Sequence, residues 1–251
     1  MQATDIDDVL VKLTGVIDTH RGSPLVFFPA VYRATTARVQ AGMQKGSFVD
    51  GARMGRFVTA FANRYLAALD AAALGGSGGP ARAWQVAVDA AARPHTMILQ
   101  HVLVGMNAHI NYDLPLAVLA AANGGDIADL EQDFNAINDI LAALLGPVQK
   151  VIDGFSPLLN ILDEVGGRSD EQLVTFSIKT ARAEAWHEAT RLADESVEQR
   201  ERSSVSLDRR VALLASTILV PDGALGLATS LIARTESTDI TAITEAMLAI
   251  D

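Results

Sequence analysis

The stretch HVLVGMNAHINYDLP, residues 101–115, places the strictest condition on the fold. It has the apolar content of a buried helix, yet it carries His101, Asn107, His109, Asn111 and Asp113. A buried amide, imidazole or carboxylate without a partner costs about 1–3 kcal/mol. On an ideal helix each step of four residues turns about 40° past a full circle and rises about 6 Å. His101, Gly105, His109 and Asp113 therefore form one slanting row in which His109 and Asp113 can touch. His101 lies about 12 Å along the axis from His109. Asn107 and Asn111 form a second pair about 200° round from the first. A helix polar on two opposite sides and apolar elsewhere needs neighbours on both, so the segment is expected at the centre of a helical bundle.

The rest of the chain agrees with that expectation. Hydrophobic residues make up 49% while aromatics are only 5%, and Ala and Leu recur throughout; these lose little on entering a helix. Met54, Phe57, Val58, Phe61, Tyr65 and Leu69 fall at steps of three and four, the spacing of one buried helical face. The pattern predicts about nine helices and no strand. Thr4 is expected to cap the first, which stops at Arg21-Gly22-Ser23-Pro24. Leu25 to Gln44 follows, bent at Pro29, and Asp50 opens a third. After the loop Gly75 to Gly79, a short helix ends near Pro94 and the polar helix begins around His95, with Pro115 disturbing it. The next helix ends before Pro147. Ser169 with Gln172 has the form of a capping box for a long helix reaching about Ser203, and the last two helices open near Asp222 and Thr238. No repeat or long linker divides the chain, so the reading is all-α, a single domain over residues 1–251.

Charge and composition exclude several functions. The formal charge of −10 opposes binding to phosphate backbones and to anionic lipid. No cysteine is present, which rules out disulfides, iron–sulfur clusters and thiolate sites. The amino terminus lacks the order of a secretory signal, and no apolar run is long enough to cross a membrane. A soluble cytoplasmic protein with no membrane insertion is expected. Phosphate-loop, dinucleotide-binding, Gly-x-Ser-x-Gly and His-Glu-x-x-His patterns are all missing.

Two further segments put polar groups on apolar helices. QDFNAINDIL carries Asp133, Asn135, Asn138 and Asp139. An antiparallel return after Gly124-Gly125-Asp126 would set it beside the polar helix, where Asp133 meets Asn107, His109 or a cation; a solvated acidic face is the plainer alternative. ARAEAWHEA carries Arg182 and Trp186 one turn apart, with Glu184 and His187 three apart. Glu-x-x-His is half of a di-iron signature that requires a second copy, and there is only one. Arg182 can pair with Asp133 or hold a substrate carboxylate.

LVGMNAHINYDLP (Leu103 to Pro115), DFNAIND (Asp133 to Asp139), the Arg182 to Trp186 helix and FFPAVYRATTARV (Phe27 to Val39) together resemble an uncharacterised family of bacterial all-helical proteins, over nearly the whole chain. The Asn-Ala-His-Ile-Asn-x-Asp-Leu core is its most distinctive part. The resemblance implies an all-helical fold and no assigned reaction. His101, Glu184 and His187 lie outside its motifs.

Three functions fit the polar residues. In the first, a small-molecule enzyme uses His109 as general base or acid, with Asp113 holding its tautomer. Asn107 and Asn111 then bind a carbonyl or oxyanion, and Asp133, Asn138, Arg182, Trp186 and His101 bind the substrate, in a cyclisation, isomerisation or elimination without an organic cofactor. In the second, a divalent metal sits on His109, Asp113 and Asp133, with help from His101 or His187, for hydrolysis or oxygen chemistry. The third is a non-catalytic binding protein for an apolar ligand. In each the partner is a small, partly hydrophobic molecule. A satisfied core network with function elsewhere is the structural alternative, and the oligomeric state is left open.

Overall fold

A computed structural model describes residues 1–75, 79–122, 124–162 and 178–250. Among them are ten helices and no strand, against the nine or so expected. The helices are α1 (Ile6–Thr19), α2 (Phe27–Gln44, after a 3₁₀ turn at Pro24–Val26), α3 (Gly51–Leu74) and α4 (Arg82–Ala90). Helix α5 is continuous through three segments, Ile98–Asn107, Ala108–Asp113 and Leu114–Ala122. Then come α6 (Ala128–Phe155), α7 (Ile178–Ala193), α8 (Val197–Leu219), α9 (Gly223–Thr235) and α10 (Ile240–Leu248).

Helix α5 is the axis of the molecule. Its amino-terminal half packs on α2, α4 and α8, and its carboxy-terminal half on α3 and α7. From Ile98 to Val118 every residue is buried except the half-buried Leu99, Met106, Asn111, Tyr112 and Leu116. Helix α6 lies instead mainly against α2 and α10, so the antiparallel return expected after Asp126 touches α5 only lightly.

Several helix ends differ from the sequence expectation. Asp5, not Thr4, caps α1, its carboxylate accepting the Asp8 N–H at 2.8 Å. Pro29 produces no break because it sits in the first turn of α2, where an N–H has no helical partner. Helix α5 starts at Ile98, three residues later than expected, because His95 takes a left-handed φ of 57°. Helix α6 continues through Pro147 to Phe155. Pro147 and Ala143, whose carbonyl loses its donor, both lie on the exposed side, where water can take the bond. The expected long helix to Ser203 is broken at Ser196, which forms a capping box with Gln199 and starts α8. The Ser169–Gln172 box lies outside the described residues.

Acidic residues tie helix ends together across the bundle. Asp133 of α6 accepts the N–H groups of Val49 at 2.6 Å and Asp50 at 3.0 Å, at the start of α3. Asp208 of α8 accepts those of Arg82 and Ala83 at 3.0 and 2.9 Å, opening α4. Glu236, just after α9, accepts the Ile98 N–H at 2.8 Å and the Ser156 hydroxyl at 2.6 Å. Each carboxylate satisfies donors that a helix amino terminus leaves free and faces the positive end of its dipole. Asp208→Ala is expected to cost about 0.5–2 kcal/mol, as loss of a capping side chain does; urea unfolding at pH 7 checks this, and an unchanged midpoint would show that water caps α4 equally well.

Candidate functional site

Residues Ala108–Asp113 form a π-helical segment in the middle of α5, and the Leu114 N–H reaches back five residues to the His109 carbonyl. Pro115 follows directly and can donate no bond of its own. The helix continues through the proline by way of this wider turn, and such segments frequently occur at functional sites. The wider turn also alters the ideal-helix register, and with it the environment of His109 and Asp113.

His109 is 3% exposed and enclosed by aromatic rings. Phe61 stacks on the imidazole with centroids 3.6 Å apart and planes 8° from parallel. Tyr32 stands edge-on at 4.4 Å, Phe28 at 5.5 Å, and Tyr65 and Trp84 each at 6.3 Å. The protein has eight Phe, three Tyr and two Trp, so five of its few aromatic rings are concentrated on this one side chain. Its Nδ1 lies 3.6 Å from Asp113 Oδ2, too long for a hydrogen bond. Among the described residues neither ring nitrogen has a hydrogen-bond partner, and nor does the buried Tyr32 hydroxyl. Burial lowers the affinity of His109 for a proton; the Asp113 charge opposes this, while Arg64 and Arg182 add to it. Burial, together with the charge of Asp113, pushes the Tyr32 phenol up. A neutral imidazole beside a protonated phenol follows from both shifts.

Asp113, 1% exposed, is fixed from two other helices. Its Oδ1 accepts Arg64 Nε of α3 at 3.1 Å, and its Oδ2 accepts Trp84 Nε1 of α4 at 2.8 Å. The carboxylate thus positions the Trp84 wall and links the box to Arg64, whose side chain is 32% exposed.

The other predicted residues are spread over separate places. Asn107 is fully buried, donates to the Val211 carbonyl of α8 at 2.9 Å, and accepts from Asn111 at 2.9 Å. It joins α5 to α8 rather than offering donors beside His109. His101 packs edge-on against Phe27 at 6.0 Å, and burial pushes its imidazole down to about 4. Asp133 turns both oxygens to the start of α3, so it meets neither Asn107 nor His109, while Asn135 and Asp139 lie on the exposed face of α6. Arg182 is 3% exposed and pairs with neither Asp133 nor any other carboxylate among the described residues. It donates to Asn138 Oδ1 at 2.7 Å and the Phe134 carbonyl at 2.6 Å, with its guanidinium 4.1 Å from the Phe134 ring. Burial lowers it to about 9. Trp186 packs on the same Phe134 ring at 4.8 Å. Arg182, Asn138 and Trp186 therefore join α6 to α7.

The metal set His109, Asp113 and Asp133 is not assembled. Asp133 is committed elsewhere, Glu184 and His187 are exposed, and no group of three His, Asp or Glu suited to an ion occurs among the described residues.

In the sequence, Phe61 and Tyr65 read only as one buried helical face and Phe28 and Tyr32 only within a family motif, and Trp84 is not singled out. The signal of the aromatic box is present in two i, i+4 pairs, Phe28 with Tyr32 and Phe61 with Tyr65, which match the spacing of His109 and Asp113. Nothing local shows that α2 and α3 direct these pairs, and α4 directs Trp84, at one imidazole. No curated protein and no solved structure matches the chain. A family model does match it over residues 6–221, a span that ends before α9 and includes the whole box. The chain belongs to DUF5995, a family of unknown function.

Proposed function

We propose that the protein is a small-molecule enzyme in which His109, kept neutral, acts as the base and Asp113 stabilises the imidazolium formed. The observation that carries this reading is a buried imidazole whose two nitrogens lack hydrogen-bond partners among the described residues, 3.6 Å from a buried carboxylate. Buried polar groups are almost always paired, and each exception in a folded protein calls for an explanation, of which a catalytic role is one. A general base works best when its pKa lies near the ambient pH; burial keeps His109 unprotonated, and the Asp113 charge limits how far its basicity falls.

The chemistry fits a proton shift within one substrate. His109 takes a proton from carbon or oxygen, and the electron pair left behind moves toward an oxygen that the Tyr32 hydroxyl can hydrogen-bond. The imidazolium then returns its proton to a different atom, completing an isomerisation or cyclisation, or to a leaving group, completing an elimination. No electrons enter or leave. The apolar rings suit a partly hydrophobic substrate and exclude water, which strengthens the attraction between Asp113 and the imidazolium.

Binding without turnover is the second reading, favoured by how completely the rings enclose His109. Solvent exchange separates the two. With the protein in D2O and a metabolite extract, one compound is expected to gain mass in the presence of the natural chain but not of His109→Gln. If the natural chain alters no compound, the catalytic reading falls.

A further inference from the structure

The geometry points to a binding slot for a planar aromatic ring, with the Phe28 side chain as its gate. This deepens the function proposed above and rests on that reading for what happens once the ring has entered.

Phe28 stands between the His109 box and a small cavity. On one side is His109, 5.5 Å away, together with Tyr32 at 5.7 Å. On the other is a cavity of ≈ 20 Å³ lined by residues including Pro24, Leu25, Val88, His101 and Gly105. Phe28, Tyr65 and Trp84 border the cavity as well as the box. Pro24, Leu25 and Val88 are half-buried, so this is the side that faces solvent. By itself the cavity has room for about one water.

Gly105 makes the slot. A Cβ at this position would lie 2.5 Å from Phe28 Cγ and 2.9 Å from Cδ2, far inside van der Waals contact. Glycine in a helix interior costs about 0.5–1 kcal/mol relative to alanine, and here it lets a flat ring lie directly on the α5 backbone. The close neighbour that Gly105 admits is Phe28 itself. Tyr65 stands at 82° to the Phe28 ring with centroids 5.3 Å apart, and Trp84 is tilted at 5.7 Å. These are arrangements that aromatic rings favour, and a ligand ring in the same place would inherit them.

Phe28 is also placed to move. It is the second residue of α2, directly after the 3₁₀ turn Pro24–Val26, where the backbone is not yet held by a full set of helical bonds. Rotation of its side chain toward the half-buried rim would join the cavity to the box. A ligand ring would then lie on Gly105 with its polar substituent directed at His109 and Tyr32, whose ring nitrogens and hydroxyl lack hydrogen-bond partners among the described residues. The ligand class is therefore a planar aromatic compound bearing one hydroxyl or carbonyl group.

Phenol serves as the probe and cyclohexanol as its non-planar counterpart of similar size. In the unsubstituted 251-residue chain, phenol is expected to shift the His109 imidazole and Trp84 indole NMR signals saturably, with cyclohexanol binding at least tenfold more weakly. Phe28→Leu, which lowers the cost of clearing the slot, is expected to tighten phenol binding at least fivefold. Gly105→Ala, which fills the slot from below, is expected to abolish it. Cyclohexanol binding as well as phenol would overturn the planar class. Shifts at Trp84 and His101 without His109, or Phe28→Leu binding no tighter than the natural chain, would overturn the gate. Because the measurement needs no turnover, deuterium exchange alongside failed phenol binding would remove this inference alone.

Discussion

Asp113→Ala is expected to destabilise the protein by about 2–4 kcal/mol, lowering Tm by about 5–15 °C for a chain of this size. Asp113 holds Trp84 Nε1 at 2.8 Å and Arg64 Nε at 3.1 Å and faces His109 at 3.6 Å. Its removal strands the indole N–H inside the core, because Trp84 is only 3% exposed, and that alone costs about 1–3 kcal/mol. Arg64 suffers less, since its partly exposed side chain can turn to water. Asp113→Asn is expected to lose about half as much, because the amide oxygen can still accept the indole proton. Both variants also remove the charge that favours a proton on His109, so the imidazole should titrate lower still in each. Thermal unfolding with histidine NMR measures both effects. An alanine variant within about 1 kcal/mol of the natural chain would show that water replaces the carboxylate there.

Acid should weaken the fold well before its carboxylates titrate. His101 is held down to about 4 by burial, against an ordinary 6.5, and His109 is lowered for the same first reason. A histidine lowered in the folded state stays neutral there while the unfolded chain takes up a proton. Its contribution is complete above about pH 6.5 and is lost as the pH falls toward the folded value. For His101 alone the loss amounts to about 3 kcal/mol between pH 6.5 and 4, at about 1.4 kcal/mol per pH unit. His109 adds in the same direction. Glu236 acts oppositely, since burial raises it, and the folded chain takes its proton first as the pH falls. Urea unfolding at pH 7 and pH 4.5 should show the drop, and His101→Met should flatten it. An equally steep loss in that variant would place the acid sensitivity in the carboxylates that tie the helix ends.

Hydrophobic periodicity and the polar load on residues 101–115 were enough to establish an all-helical fold with that segment at its centre. A helix bearing five polar groups among valines and leucines has nowhere else to go, because each face needs either a packing neighbour or a hydrogen-bond partner. The close approach of His109 and Asp113 was also legible, since a four-residue step is a local property of the backbone. Tertiary structure decided which polar groups belong together. Asp133 reads in sequence like a companion to His109, yet it holds the start of α3, because α6 leans on α2 and α10 rather than along α5. Arg182 reads like a substrate anchor, yet the Phe134 carbonyl and Asn138 take its donors. The aromatic box draws Phe28 and Tyr32 from α2, Phe61 and Tyr65 from α3, and Trp84 from α4 onto one imidazole. Helix periodicity says which face of each helix is buried. Which faces meet depends on helix crossing and packing between residues far apart in the chain, and these bring the rings onto His109.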